Sequence, residues 1–507
     1  MIDSQKLEKS DSDKKTYRQI LRSTSIMGGS SVISILLRII RTKVLAVLLG
    51  PSGVGLISIY ESITSLASSI AGMGVGTSGI RQIAEAFGTG NQEKISRTII
   101  CLRRIALFSG VAGLCLLFLL RGAISQITFG NSSHAHDIAL LSVTILFAAV
   151  SGGQVALVQG MRRIKYLAML SILGALLGTL LSIPIIYIFG EKGIVLFLIA
   201  VSSTSILTSW WYSRKIKTIR VTLSWRDVFI EAKPLLRLGL VFMSTALMSA
   251  GAMYVLRVFV IRSLGLDAAG IYQAAITLSA IYVGFILEAM GKDFYPRLTA
   301  VAQYNDKCTS LINHQMEIGL LIAIPGIVAT MTFAPIVIDI FYSAKFLLAV
   351  DVLRWQILGI LLRIIIWPMG FIFIAKGNGK LFFWTELFAN CMHLGLLWLG
   401  IKYFGLPGTG MAFFVMYLLY GFLIYSLVRT YYNFTLSPKN IRIIAITALA
   451  TGIVFLTPYF VSKKIYFVIN AGITITVAWY SIKTLIEIAG VELVPGFLLK
   501  IKSRFCM

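Results

Sequence analysis

Long apolar runs separated by short polar segments are the dominant pattern of this chain. A helix of about 20 apolar residues is long enough to cross a bilayer. The pattern therefore predicts roughly fourteen membrane-spanning helices, and twelve remain an alternative if one short pair of runs does not cross. The predicted spans are 23–49, 54–86, 97–120, 137–160, 165–189, 193–213, 235–263, 269–291, 315–341, 350–375, 381–403, 407–429, 440–462 and 465–488.

The composition agrees with an all-α integral membrane protein. Hydrophobic residues make up 57% and charged residues 13% of the 507 residues, and the mean hydropathy is +0.85. Because the spans use most of the chain, no polar stretch is long enough to bury a catalytic core of its own. We therefore expect a protein that is not an enzyme.

The net charge of +25 has its simplest explanation in the loops. Lysine and arginine collect in cytoplasmic loops and meet anionic lipid there. Basic clusters at 161–165, at 214–226 and at the C-terminus place these segments, and both termini, in the cytoplasm. The clusters lack the interleaved aromatic residues that stack nucleic-acid bases, so no nucleic acid is expected as a partner.

A repeated segment divides the predicted spans into two sets of six. Segment 49–57 reads LGPSGVGLI and segment 264–272 reads LGLDAAGIY, and each begins with Leu-Gly and has a glycine five residues after that first glycine. Six spans separate the copies, and an even number makes the repeats parallel. We expect two six-helix lobes around a central cavity, with two further helices. The predicted parts are a cytoplasmic tail (1–22), the N-lobe (23–213), a basic linker (214–234), the C-lobe (235–429), helices 13 and 14 (440–488) and a second cytoplasmic tail (489–507).

Charged residues inside the predicted spans are the best indication of function. Such residues are costly in lipid and usually face a watery cavity or a partner. The candidate residues are Arg38, Arg41, Arg257 and Arg363, together with Glu61.

Two explanations of these charges are open. In the structural one, Glu61 forms an ion pair with Arg38 or Arg41 that locks helices together, and Arg41 could also reach the outer membrane surface. In the functional one, the arginines form a cationic cavity for a phosphate or diphosphate, which arginine binds bidentately. The excess of arginine within the spans favours the cationic cavity.

Other site chemistry is mostly absent from the sequence. No phosphate-binding loop of the Gly-x-x-x-x-Gly-Lys-Ser/Thr type occurs. His134 and His136 lie in a predicted outer loop and are expected to be a solvated pair rather than metal ligands. We expect no catalytic residue, no metal and no cofactor.

With these features in place, the chain resembles the Wzx-type O-antigen flippases of the multidrug/oligosaccharidyl-lipid/polysaccharide exporter superfamily. The segments that carry the resemblance are 41–56 (RTKVLAVLLGPSGVGL), 74–85 (GVGTSGIRQIAE) and 341–346 (FYSAKF), the last leading into Trp355-Gln356. The resemblance implies movement of an undecaprenyl-diphosphate-linked oligosaccharide across the bacterial inner membrane. It also implies that Arg38, Arg41 and Arg257 accept the diphosphate and that Glu61 has a pairing or coupling role.

The same resemblance implies partners. The substrate would be the lipid-linked oligosaccharide, with membrane lipids around the protein, an O-antigen polymerase and a chain-length regulator as further partners, and H⁺ or Na⁺ as candidate coupling ion. The first alternative is an ion-coupled multidrug antiporter of the same superfamily. Two others are a flippase for the peptidoglycan lipid precursor and a membrane-embedded glycosyltransferase or polymerase.

Overall fold

A computed structural model describes residues 2–216, 219 and 221–489. Side chains are described from residue 26 onward within these ranges, except at 281–283, 285–286, 288–289, 291–292, 463–464 and 489. The predicted C-terminal tail lies outside the described residues from 490 onward, as do Lys217 and Arg220 of the predicted basic linker.

The described part of the chain contains fourteen α-helices and no β-strand. The all-α prediction is therefore confirmed. The helices are α1 (Ile2–Ala71), α2 (Val75–Gly88), α3 (Gln92–Phe129), α4 (Ala135–Gly160), α5 (Ile164–Phe189), α6 (Ile194–Ser213), α7 (Trp225–Ala300), α8 (Asn305–Thr332), α9 (Ala334–Phe341), α10 (Ala349–Ala375), α11 (Gly379–Phe404), α12 (Pro407–Tyr432), α13 (Pro438–Phe460) and α14 (Lys463–Ala489).

Ten helical stretches among the described residues are long and apolar enough to cross a membrane. The stretch Ile164–Ser213 contains α5 and α6, which are two of the predicted spans joined by a short 3₁₀ turn. This pattern identifies a multi-pass membrane protein. The arrangement as two six-helix lobes around a cavity stays a prediction.

Local sequence signals explain several helix ends. The side chain of Asn91 caps α3 by accepting hydrogen bonds from the backbone amides of Glu93 and Lys94, at 3.0 and 3.1 Å. Ser437 caps α13, and Pro438 follows it at the first helical position. Gly130 ends α3 with a left-handed φ of 81° that glycine adopts without steric cost.

The chain divides into two compact units, Met1–Gly270 and Ile271–Met507. In the first unit, α4 packs against α2, α3 and α6, and α5 packs against α1 and α6. In the second unit, α8 packs against α10, α13 and α14, while α12 packs against α10 and α11. Helices α13 and α14, which lie beyond the sequence repeat, thus pack against α8 of the same unit.

The two copies of the repeated segment share a backbone break. Gly50 interrupts α1 with φ 68° and ψ −169°, and Gly265 interrupts α7 with φ 87° and ψ 177°. The helix continues on both sides of each break, so spans predicted as separate elements are arms of one bent helix. A positive φ at both positions explains why glycine occupies each of them.

The two copies also contact each other through equivalent positions. A methyl group added at Gly55 would overlap the carbonyl oxygen of Leu266, and one added at Gly270 would overlap the carbonyl oxygen of Pro51. Gly55 corresponds to Gly270 in the repeat, and Pro51 corresponds to Leu266. Such a reciprocal contact is typical of two segments related by a local twofold axis.

A further break divides the second predicted span, 54–86, which was expected to be continuous. Helix α1 ends at Ala71 and α2 begins at Val75, with positive φ at Met73 (45°) and Gly74 (63°) between them. The backbone of this break lies directly against Gly239 of α7, where a methyl group at either glycine would overlap the opposite backbone. The close approach of two backbones accounts for the small residues here.

We expect Gly270→Ala to destabilise the protein, because the added methyl group must displace the backbone of the other repeat copy. Overpacking of this kind costs about 1–3 kcal/mol. The matched control is Gly251→Ala on the same helix, where the new methyl group meets only Leu66, at 4.0 Å. Thermal unfolding in detergent, followed by tryptophan fluorescence, should show a lower transition temperature for Gly270→Ala alone. Equal transition temperatures in the two variants would contradict the tight reciprocal contact.

Candidate functional site

Arg257 of α7 is fixed against one turn of α1. Its guanidinium Nη1 donates a hydrogen bond to the backbone carbonyl of Ser58 at 2.9 Å and contacts the hydroxyl of Ser62. Both serines are buried, and Glu61 lies between them in the sequence. The sequence analysis identified Arg257 and Glu61 but missed the two serines. The available signal was their position next to Glu61 on the helix, three residues before it and one residue after it.

Glu61 lies within the electrostatic reach of three of the predicted arginines. Arg257 acts on its carboxylate most strongly, followed by Arg41 and Arg38. The ion pairs found among the described residues do not include one between Glu61 and these arginines. The structure therefore gathers four of the five predicted residues in the first unit as one cluster with more positive than negative groups.

Arg41 packs inside the first unit. Its guanidinium carbon lies 5.8 Å from the centre of the Phe197 ring on α6. One of its nitrogens lies 3.5 Å from the position that a methyl group would take at Gly178 on α5. Arg41 thus packs against residues of α5 and α6.

The members of this cluster differ in exposure. Arg38 and Glu61 are exposed, whereas Arg41 and Arg257 are half-buried. Charged groups on membrane-spanning helices are best accommodated by water or by a polar ligand.

Arg363 lies in the second unit with other polar residues. It is exposed on α10, and both it and Glu386 act electrostatically on the hydroxyl of Tyr417. The Glu386 carboxylate also accepts a hydrogen bond from the Tyr420 hydroxyl, at 2.7 Å. Sequence reasoning missed both tyrosines, which are three residues apart on one face of α12.

The expectation that His134 is simply solvated is wrong. Its ring stacks on Phe129 with a centroid distance of 3.9 Å, and its Nδ1 lies 2.9 Å from the hydroxyl of Tyr60. That hydroxyl donates to the Asp137 carboxylate at 2.6 Å. These contacts join the end of α3 and the start of α4 to Tyr60 of α1, which directly precedes Glu61. They connect residues more than 70 positions apart, which a single sequence does not reveal.

Two buried charges of the second unit were also missed. Arg354 is 6% exposed and donates from Nη2 to the Tyr466 hydroxyl at 3.0 Å. Glu317 is 6% exposed and forms an ion pair with Lys439 at 3.0 Å. The Arg354 hydrogen bond connects α10 with α14, and the Glu317 ion pair connects α8 with α13. No group of three or more side chains suited to hold a metal ion occurs among the described residues.

Comparison with known proteins places the chain in a family. The family described as "Polysaccharide biosynthesis protein" matches residues 44–351, which is more than half of the chain. The chain belongs to this family. A relative is the Lipid III flippase of Escherichia coli (strain K12), which is 23% identical over 401 residues, covering 77% of this chain and 94% of the relative.

Solved structures of similar fold are membrane transporters. The lipid II flippase MurJ in an inward closed conformation matches with a TM-score of 0.67 and 14% identity, covering 91% of this chain and 98% of MurJ. An inward-facing multidrug resistance transporter of the MATE family, from the MOP superfamily, matches with a TM-score of 0.65 and 18% identity, covering 81% and 95%. The family match and the flippase relative, together with this shared fold, confirm the resemblance to lipid-linked oligosaccharide flippases.

The charge cluster of this family member should behave as one energetic unit. We expect Glu61→Gln and Arg257→Gln each to lower the thermal transition temperature, because each removes one of two opposite charges that act on each other on membrane helices. The double variant should lose less free energy of unfolding than the two single variants lose together. The difference is a coupling free energy of about 0.5–3 kcal/mol. Unfolding of the four proteins in detergent measures this coupling.

Arg121 offers a matched control for this cycle. It lies on α3, where its guanidinium contacts the Phe118 ring at 4.2 Å. Combining Glu61→Gln with Arg121→Gln should give additive effects. Additivity in the Glu61–Arg257 pair as well would show that the two charges do not interact.

Proposed function

We propose that this protein moves a lipid-linked oligosaccharide from the cytoplasmic to the periplasmic leaflet of the bacterial inner membrane, with both of its termini in the cytoplasm. The substrate class is the undecaprenyl-diphosphate-linked repeat unit of O-antigen, used in lipopolysaccharide biosynthesis. The observation that carries the proposal is the cluster of Arg38, Arg41 and Arg257 around the carboxylate of Glu61 on membrane helices. The family assignment and the flippase relative support the coarser part of this proposal, the flipping of a lipid-linked precursor.

The cluster suits a diphosphate. Arginine presents a planar set of donors that matches phosphate oxygens bidentately, and its charge persists at any working pH. Arg38 and Arg41 lie on one face of α1, three residues apart. Glu61 offsets part of the positive charge while the cavity holds no substrate, which lowers the cost of three arginines at membrane depth.

An oligosaccharide needs such a path because its hydroxyl groups would lose their hydrogen bonds in hydrocarbon. In this mechanism the arginines hold the diphosphate and sugar, while the lipid tail stays in the bilayer. The helix breaks at Gly50, Gly265 and Met73–Gly74 supply points at which helix arms can reorient. An inside-negative membrane favours outward movement of an anion by about 2.3 kcal/mol per charge per 100 mV.

Further parts of the proposal follow from the same substrate. The exported unit would pass to an O-antigen polymerase and a chain-length regulator, which makes these the expected partners. Glu61 is the candidate for coupling to H⁺ or Na⁺, since it is the acidic member of the cluster. Arg363 would contribute a further cation to substrate binding from the second unit.

The second candidate is an ion-coupled exporter of cationic drugs. The fold shared with a MATE transporter favours it. The excess of arginine around Glu61 opposes it, because a site for organic cations would be acidic or aromatic rather than basic.

Deletion of the gene tests the proposal and separates the two candidates. The deletion strain should lose surface polysaccharide and accumulate lipid-linked repeat units on the cytoplasmic leaflet. Arg38→Ala and Arg257→Ala should not restore export although the protein is still inserted, because the phosphate loses charge-assisted hydrogen bonds worth at least about tenfold in binding. Lysine at either position should restore part of the export.

Two control variants accompany this test. Ser62→Ala removes one contact of Arg257 but keeps the charge, and Arg81→Ala removes an exposed arginine that is paired with Glu85 at 2.7 Å. Both should restore export to near the normal level. Unchanged polysaccharide in the deletion strain, together with new sensitivity to cationic drugs, would reject the flippase and favour the antiporter.

A further inference from the structure

A second basic site lies in the first unit, away from the Glu61 cluster. A groove of about 430 Å³ runs between α3 and α6, with α4 as its floor. None of its lining residues belongs to α1 or α7, which carry the Glu61 cluster. The residues that line it are Arg103, Ala106, Leu107, Val150, Gln154, Trp210, Arg214 and Ile216.

Two arginines form the basic wall of the groove. Arg103 and Arg214 are both exposed, and the ion pairs found among the described residues include neither of them. Arg214 lies over the rings of Trp210 and Trp211, with its guanidinium carbon 4.6 and 4.2 Å from their centres. An arginine in contact with aromatic rings can still donate its N–H groups to an anion.

A buried polar side chain lies in the floor. Gln154 is 8% exposed, and its Oε1 accepts a hydrogen bond from the Ser209 hydroxyl at 2.6 Å. The same side chain lines the groove, where its amide group can donate hydrogen bonds to a ligand.

The rest of the groove is apolar and open to the surroundings. Leu107 is 53% exposed, and the neighbouring Phe108 is 62% exposed on the same membrane helix. Leu207 on α6 is 62% exposed. Apolar faces of this size on spanning helices lie against lipid chains. The basic end of the groove coincides with the C-terminal end of α6, at the start of the segment that the charge pattern places in the cytoplasm.

We propose that this groove binds the phosphate headgroup of an anionic phospholipid of the cytoplasmic leaflet. The two arginines and the Gln154 amide bind the phosphate oxygens, and the acyl chains extend along Leu107 and the apolar face of α3. A tryptophan such as Trp210 is typical of the headgroup region of a membrane. Basic pockets between membrane helices on the cytoplasmic side bind such lipids. This inference does not depend on what the Glu61 cluster transports.

Native mass spectrometry of the full-length detergent-solubilised protein tests the proposal. Phosphatidylglycerol and phosphatidylcholine are added separately, since they differ in headgroup charge but share the acyl chains. The wild-type protein should bind phosphatidylglycerol about tenfold more tightly, because only this lipid carries a net negative charge that charge-assisted bonds can use. Arg103→Gln and Arg214→Gln should each lose most of this preference.

Arg121→Gln is the matched control, because Arg121 lies on the same helix as Arg103 and also contacts an aromatic ring. It should keep the wild-type preference. The wild-type comparison of the two lipids needs no variant, so it remains decisive if an arginine variant does not fold.

Three results would overturn the proposal. The first is equal binding of the two lipids by the wild-type protein. The second is an unchanged preference in folded Arg103→Gln and Arg214→Gln. The third is displacement of phosphatidylglycerol by an equal concentration of undecaprenyl phosphate or of inorganic phosphate, which would assign the groove to the transported lipid or to a free anion. Loss of export in the Arg38 or Arg257 variants would not affect any of these three lipid-binding results. Each proposal can therefore be rejected without the other.

Discussion

The cost of placing charge at membrane depth is the constraint on which the rest of this structure depends. Charged side chains inside spanning helices must be compensated by a partner, by water or by a ligand. In the first unit, Arg257 donates to the Ser58 carbonyl, and Glu61 offsets part of the charge of three arginines. Three arginines act on this one carboxylate, and this ratio is the basis of our proposal of an anionic substrate.

The helix breaks follow from a related constraint on the backbone. Every backbone polar group within a bilayer needs a partner inside the protein, so an interrupted helix is tolerated where protein packs closely around it. Glycine allows this packing at Gly55 and Gly270, and again where Gly74 meets Gly239. The same positions that let the chain bend thus also hold bent helices together. A carrier needs both properties, because its helices must reorient without exposing backbone to lipid.

The sequence predicted most of the helices, because continuous apolar runs have few alternatives in a bilayer. It also identified the members of the charge cluster as candidates, because each arginine in an apolar run is costly, and their role in substrate binding stays a prediction. It did not predict the break at Met73–Gly74, since the pattern Gly-Met-Gly also suits an unbroken helix with close packing. The contact of His134 with Tyr60 and the burial of Arg354 were missed because both depend on partners distant in the sequence. Arg363 was predicted as part of the same site, and the structure describes it within the second unit, near Tyr417.

Transport by the purified protein tests the central claim most directly. The protein would be reconstituted into liposomes with a diphosphate-linked oligosaccharide lipid, and a membrane-impermeant lectin would follow the sugar that reaches the opposite leaflet. The account predicts protein-dependent transfer that an appropriate membrane potential accelerates and that replacement of both Arg38 and Arg257 by alanine abolishes. Transfer no faster than in protein-free liposomes, with transport of a fluorescent organic cation by the same preparation, would contradict it.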